Sequence, residues 1–299
     1  LSPEPLLPAS EVMTKIIQDL QEARILLNED PVKTEGGLSS GNAGESSNFL
    51  CYRALRLNYY AVTGLLARVC LYAGQRENAF NYSTEVIKAS NNGIFPFVDR
   101  SLVNGTAQDP DRIFSPEVLF ALSDSQRGEL FEEYFDPSLA PNMVFRMETD
   151  LLEQTIYGGT GTGGNLDDYR CRSNWISSGS ARYFYKYSDM TESGRIENTM
   201  IRLGEMYLIA AESQSNSLAN GVSYINTLRK NRGVSNLQTL TTTLLQYEYI
   251  REVYGEGQLF FMYKRMYSSI IRSNSATNNP APSNAVFVVP LPDTETENR

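Results

Sequence analysis

The residues best placed to do chemistry lie in the run DDYRCRSNW at 167–175. The glycine-rich YGGTGTGGN at 157–165 comes just before it, and RYFYKY at 182–187 soon after. A sugar ring has an apolar C–H face and a polar edge, so a site for one needs aromatic platforms flanked by groups that pair with hydroxyls. Trp175 and Tyr157 offer flat rings, while Asn174, Arg172 and Asp168 offer donors and acceptors. These five are the candidate ligand contacts. Two other readings stand beside this one: Trp175 as a core anchor of an irregular region, and Tyr183, Tyr185 and Tyr187 as packing residues on one strand face. The glycines do not make a phosphate loop, because no Gly-Lys-Ser/Thr ending follows and no buried strand precedes them.

Other chemistries find less support. Histidine is absent, which removes Ser-His and Cys-His nucleophile systems and histidine metal centres. Cys51, Cys70 and Cys171 are odd in number and widely spaced, so they read as buried thiols. The adjacent carboxylates Glu132-Glu133 and Asp167-Asp168 do not face each other as a glycosidase pair would, and read as solvated loop charges. Asp109 and Asp111 in DPDR lack the full spacing of a calcium loop, leaving a surface turn. No cofactor motif is present. A net charge of −9 argues against nucleic acid or an anionic membrane surface as the main partner. No apolar run approaches 18 residues, and the opening LSPEPLLPAS resembles neither a signal peptide nor a membrane span.

The elements that position these residues are mainly helical. Ser10 is placed to cap a helix with the stripe Met13, Ile16, Leu20, Ala23 and Leu27, ending before Pro31. Leu55, Tyr59, Val62, Leu66, Val69 and Ala73 predict a second helix, stopped by Gly74. A third spans about 76–89, with Ala79, Phe80, Ser83, Val86 and Ile87 inward and Asn91-Asn92-Gly93 closing it. This hairpin is echoed later: LLARVCLYAG at 65–74 by RLGEMYLIAA at 202–211, and Ala79, Phe80 and Val86 by Gly221, Val222 and Leu228. Paired hairpins of this kind resemble tetratricopeptide units, without the full signature of that repeat. Residues 94–198 lack a helical period, with strands expected at 118–122 and 182–187, and the tail at 285–290 reads as a third short strand. The fold class is therefore mainly α: tetratricopeptide-like helical hairpins with a loop-rich insert containing short β-strands.

One further segment, 248–265, carries two patterns at once. Tyr247, Ile250, Tyr254, Gly257 and Phe261 share one helical face, and Glu248, Glu252 and Glu256 run along another at steps of four. A row of like charges needs cationic partners from elsewhere. Arg229 and Arg232 are the candidates, and Gly257 is expected to let the helix approach closely.

Together these segments resemble the SusD/RagB family of Bacteroidetes surface lipoproteins. MIRLGEMYLIAAES at 200–213 is similar to the family's RLAEMYLIYAEA and INTLRKNRG at 225–233 to its N.IR.RAG, while IIQDLQEA at 16–23 matches its DL..A element. Arg251, Glu252, Glu256-Gly257 and Lys264-Arg265 follow its ER..E...EG.RF.DL.R pattern, and Pro290, Pro292 and Asn298 its closing PIP....N. Val253, Tyr254 and Met262-Tyr263 depart from it. The resemblance marks Arg202, Glu205, Glu252, Glu256, Gly257 and Arg265 as structural signature positions. It also implies one SusD-like domain over 1–299: a helical scaffold (1–93), the ligand-binding region (94–198), then the second hairpin, signature helix and terminal strand (199–299). Family members commonly have a longer N-terminal part bearing a lipidated cysteine. The function implied is non-catalytic capture of an oligosaccharide, or in some relatives a peptide, at the outer-membrane surface for a SusC-like TonB-dependent transporter. The alternatives are a tetratricopeptide-like scaffold for another protein and, third, a glycoside-acting enzyme.

Overall fold

Helix α1 (Ala9–Leu26) turns Met13, Leu20 and Ala23 of the expected stripe partly inward but has Ile17 where Ile16 was expected, and it starts without the expected cap. Pro8 takes the N-cap position, and the Ser10 carbonyl accepts from Thr14 Oγ1 at 2.9 Å instead. Ile17 is its buried residue, and Val12, Ile16, Ile25 and Leu26 are exposed. The computed structural model describes residues 7–36, 53, 56–103, 110–158, 163–179, 181–188, 197–214, 217–271, 279–290 and 292. After the single turn α2 (Val32–Glu35), buried Asp30 ties separate pieces of chain together: it accepts from Val32 N at 3.0 Å, Arg53 Nε at 3.0 Å and Tyr59 N at 3.1 Å.

The first hairpin is α3 (Tyr59–Tyr72) and α4 (Arg76–Asn91). Asn58 caps α3 by accepting from Ala61 N at 2.9 Å, and its amide donates to the Leu119 carbonyl at 2.7 Å, so one side chain starts the helix and fixes a strand. The stop at Gly74 is as expected, since Gln75 N–H returns to the Cys70 carbonyl at 2.8 Å. Ala79, Ser83, Val86 and Ile87 are buried on the inward face of α4. Leu55 lies outside the described residues.

The insert contains α5 (Arg100–Val103), β1 (Val118–Ser123), α6 (Arg127–Tyr134), β2 (Arg146–Glu148), a π-helical stretch at Leu151–Ile156, α7 (Tyr169–Asn174), β3 (Trp175–Ser178), β4 (Ala181–Phe184) and β5 (Glu197–Arg202). β1 and β5 pair antiparallel, with Val118 opposite Arg202, and β4 lies between β2 and β3, antiparallel to both. The strand expected at 118–122 is present. The one expected at 182–187 is shorter: it ends at Phe184, and Ser188 N–H turns back to the Tyr185 carbonyl at 3.0 Å. Strand β5 has no alternating apolar signal, because only its last two residues, Ile201 and Arg202, are buried.

Strand β5 runs directly into α8 (Leu203–Glu212), which with α9 (Val222–Lys230) forms the second hairpin. α4 packs on α8, so the hairpins stack; α1 covers α3, and α10 (Thr242–Val253) packs on α8. The continuous helix expected over 248–265 is instead two, α10 and α11 (Leu259–Met266). Between them Tyr254 takes ψ 135°, and Gly255 and Gly257 take φ of +73° and +75°. Gly257 has nothing within 4 Å of the place a Cβ would occupy, so it serves the left-handed turn and not a close helix approach. The strand expected at 285–290 is also corrected: 284–287 form a helical turn, α12 (Asn284–Phe287), because Phe287 seats its ring 6.0 Å from Phe260 and 6.1 Å from Tyr267. One hydrophobic cluster extends from Ile17 to Phe287. Among the described residues, no helix is long and apolar enough to cross a membrane.

Candidate functional site

Two constellations are built where the insert meets the second hairpin. The first is a buried charge centre. Glu252 on α10 accepts from Arg202 Nη1 at 2.9 Å, Arg232 Nη2 at 2.8 Å and Arg170 Nη1 at 3.1 Å. Glu248, one turn earlier, accepts from Arg170 Nη2 at 3.0 Å, from Arg251 Nη1 at 2.8 Å and from Arg229. The expected partners Arg229 and Arg232 are therefore both present. Arg232 also holds Glu117 in a two-pronged pair at 2.7 and 2.6 Å. Glu256, in the turn after α10, receives Arg202 Nη2 at 2.6 Å together with Lys186.

Electrostatics keeps this centre ionised despite its enclosure. Burial alone would raise the Glu248 carboxyl, but the guanidinium groups of Arg170, Arg251 and Arg229 bring it down to about 2. Glu252 is opposed by the same burial and held well below the carboxylate range by Arg232, Arg202 and Arg170. Lys186 moves the other way for its class: burial, then the neighbouring Arg202 charge, lower it to about 8 in spite of Glu256. Every Glu248 and Glu252 oxygen is taken by an arginine, and no group of His, Cys, Asp or Glu able to hold a metal ion occurs among the described residues.

The second constellation is aromatic. Trp175 opens β3 with its ring 5.0 Å from Phe184 and 4.8 Å from Tyr254, and is 5% exposed. Phe184 lies 5.9 Å from Phe135, which in turn meets Tyr187 at 5.3 Å and Phe145 at 5.8 Å; Phe145 meets Tyr134 at 6.1 Å. The series starts in the core and is most open to solvent at its last two rings, where Phe145 is 57% and Tyr134 37% exposed.

The five sequence-derived contacts do not converge on an opening. Trp175 sits at the inner end of the aromatic series. Tyr157 is buried, with the Arg251 guanidinium 6.0 Å from its ring, and burial followed by the Asp168 charge pushes its phenol far up. Asp168 caps α7 and grips Arg170 at 2.9 and 2.6 Å. Asn174 is buried, and its backbone carbonyl accepts from Tyr185 N at 2.8 Å. Arg172 alone is at the surface, paired with Asp167 at 2.5 Å. Tertiary packing turns Trp175, Tyr157, Asn174 and Asp168 inward, so the five present no common surface. Asp167 and Asp168 diverge to different arginines, while Glu132 and Glu133 are exposed neighbours on α6. Asp111 is buried, accepting from Ser115 N at 2.9 Å and Ser115 Oγ at 2.7 Å, so DPDR is not the surface turn expected; Asp109 lies outside the described residues. Burial raises the Cys70 thiol to about 11 and the Cys171 thiol to about 12, and Cys51 is not among the described residues.

Residues 127–286, which hold both constellations apart from Glu117, match the SusD family. The chain belongs to the SusD family. Its fold is similar to that of a SusD-like carbohydrate-binding protein from Bacteroides vulgatus, at 18% identity and a TM-score of 0.64, covering 99% of this chain and 66% of that one. It is similar to a putative sugar-binding protein from the same organism (21%, TM-score 0.66, 96% and 63%). It is also similar to surface glycan-binding protein A from Bacteroides uniformis (16%, TM-score 0.59, 96% and 63%). The chain thus spans about two thirds of the length of these solved structures. No curated protein matches it.

In this SusD-family chain the signature positions do architectural work. Arg202 and Glu252 belong to the charge centre, and Glu256 ties the turn after α10 to it. Glu205 holds Arg68 at 2.6 and 2.7 Å, and Arg265 holds Glu212 at 2.7 and 2.8 Å beside Tyr249, whose hydroxyl donates to Glu212 at 2.6 Å. Sequence reasoning missed Arg170, Lys186 and Glu117 as members of the centre, and Tyr134 and Phe145 as the exposed end of the aromatic series. The aromatic pattern FEEYF at 131–135 was available as a signal for Tyr134.

Proposed function

We propose that this chain is a non-catalytic capture protein of the bacterial cell surface, which holds an oligosaccharide for import through a SusC-like TonB-dependent transporter of the outer membrane. The observation that carries the reading is the aromatic series in the insert, because it ends in solvent-facing rings inside the stretch matched to the SusD family. Exposed rings held by a packed base suit sugar C–H faces. The solved relatives named for carbohydrate, sugar or glycan binding support the same ligand class. Membrane association, on this reading, comes from an N-terminal lipid. One SusD-like domain over 1–299 accounts for the shared core. Titration of the purified chain against a panel of oligosaccharides and of peptides tests the proposal. Saturable binding of an oligosaccharide without turnover is expected; hydrolysis of the sugar, or binding confined to peptides, overturns it.

A second reading, a scaffold for another protein, has its own observation. A cleft of about 310 Å³ between α3, α8, α10 and α11 is lined by Val69, Tyr72, Ile209, Phe261 and Met262, with Arg68 and Arg265 at its edge. Phe261 is half exposed there. Pull-down of a protein partner that Phe261→Asp abolishes, with no glycan bound by the parent chain, would favour it.

A further inference from the structure

The two exposed rings are held in place from three sides. Tyr134 closes α6, Phe145 leads into β2, and the Phe145 amide donates to the Tyr134 carbonyl at 2.7 Å, which fastens the two backbones together. Buried Phe135 lies 5.8 Å behind Phe145, and β2 is anchored by its pairing with β4. The ring planes are inclined by 42° to each other, forming a shallow angled shelf. Aromatic side chains with only two torsions, already fixed by packing, lose little freedom when a ligand lies across them.

The frame of this shelf is acidic. Glu129, Glu132 and Glu133 are exposed on α6, and Asp136 follows in the turn. Glu133 lies at the Tyr134 hydroxyl and raises that phenol. Among the described residues nearby, Arg146 pairs with Glu148 at 3.2 Å, Arg127 is buried with its guanidinium 5.5 Å from the Tyr187 ring, and Arg112 lies 5.7 Å from the Tyr185 ring. Carboxylates accept hydrogen bonds from sugar hydroxyls, but they repel carboxylate or sulfate groups on the sugar.

We infer that Tyr134 and Phe145 form the sugar-stacking platform of this chain, and that its acidic frame selects neutral glycans over those bearing uronate or sulfate groups. The inference rests on the glycan-capture reading above and adds the rings that touch the sugar and the charge class of the ligand. Retention of the full chain in gels containing a neutral glucan, a neutral mannan, polygalacturonate or a sulfated galactan tests it. At least one neutral polymer should retain the protein and neither acidic polymer should. Phe145→Ala and Tyr134→Ala should each weaken retention about tenfold, the usual loss for an aromatic contact. Both leave the circular-dichroism melt in place, and Phe145→Tyr keeps the binding. The double change Glu132→Gln, Glu133→Gln should admit the acidic polymers.

Each contrary result has a distinct meaning. Absence of retention by every polysaccharide overturns glycan capture and the platform with it. Neutral-glycan retention that survives both alanine changes overturns the platform while glycan capture stands. Equal retention by polygalacturonate overturns the charge selection, and self-association of the chain that Phe145→Ala abolishes, with glycan binding intact, makes the shelf a contact between copies.

Discussion

Around Glu252 the carboxylates are enclosed and committed to arginines, whereas from Phe135 outward the aromatic rings pass from enclosure to solvent. In the first region interaction capacity is consumed within the fold, and little is left to recognise a ligand. In the second, the inner rings supply rigidity and the outer rings keep a free face. A perturbed charge cluster often marks a functional site. Here it marks the joint between the insert and the helical hairpins, and the less conspicuous exposed rings are the better place to seek the ligand.

The harshest way to break this contrast is to remove the central carboxylate. Glu252→Ala leaves Arg170, Arg202 and Arg232 buried without that partner, and breaking a buried ionic cluster costs on the order of 5 kcal/mol. Urea unfolding should show it, and Glu252→Gln, which keeps an acceptor, should lose less. A change under about 1 kcal/mol would mean that the centre does not join the two regions. Trp175→Ala comes next, at about 3 to 4 kcal/mol for an emptied aromatic site between Phe184 and Tyr254. An unshifted melt with weakened glycan binding would restore Trp175 as a ligand platform and erase the distinction between inner and outer rings.

Acid sharpens the comparison without mutation. The Glu248 carboxyl sits lower in the folded state than in the unfolded chain, at about 2 against an ordinary 4.5. The folded form therefore binds fewer protons, and the stabilisation is fully present above pH 4.5. It is lost as pH falls toward 2, on the order of 3 kcal/mol from this group. Glu252 acts in the same direction. Denaturant midpoints measured from pH 6 to pH 2 should fall in the parent and fall less steeply in Glu248→Gln. Parallel profiles for the two would show that Glu248 does not carry the acid response.

Much of the helical frame was legible from sequence, because the apolar faces of α3 and α4 recur at helical steps and Asn91-Asn92-Gly93 and Gly74 mark ends. The acidic row of 248–256 also pointed correctly to Arg229 and Arg232, which lie within about one helix of it in the chain. Arg170 and Glu117 were not legible, since they stand 82 residues from Glu252 and 115 from Arg232 and meet them only when the insert closes on the hairpin. The break after Val253 was written in Gly255 and Gly257, but apolar residues on both sides keep the helical spacing and hide it. The candidate site was the least legible part. Trp175 and Phe145 are both large aromatic residues of the insert, and only tertiary packing decides that one is enclosed and the other exposed.

The smallest effects come from two glycines of the signature segments, which the structure separates by cause. At Gly204 the backbone is ordinary, but a Cβ would lie 2.1 Å from Glu252 Oε1, and that carboxylate is pinned by three arginines and cannot swing aside. Gly204→Ala should cost about 2 kcal/mol through overpacking and lower the acid sensitivity carried by Glu252. At Gly257 the space is open and the strain is in the backbone, at φ +75°. Gly257→Ala should cost about 1 kcal/mol, the penalty for a left-handed L-residue, with the pH profile unchanged. Comparing the two melts from pH 6 to pH 3 separates a contact made with the charge centre from a bend made beside it. If Gly257→Ala proved the more damaging, the turn after α10, and not the Glu252 cluster, would be what fixes the insert on the hairpins.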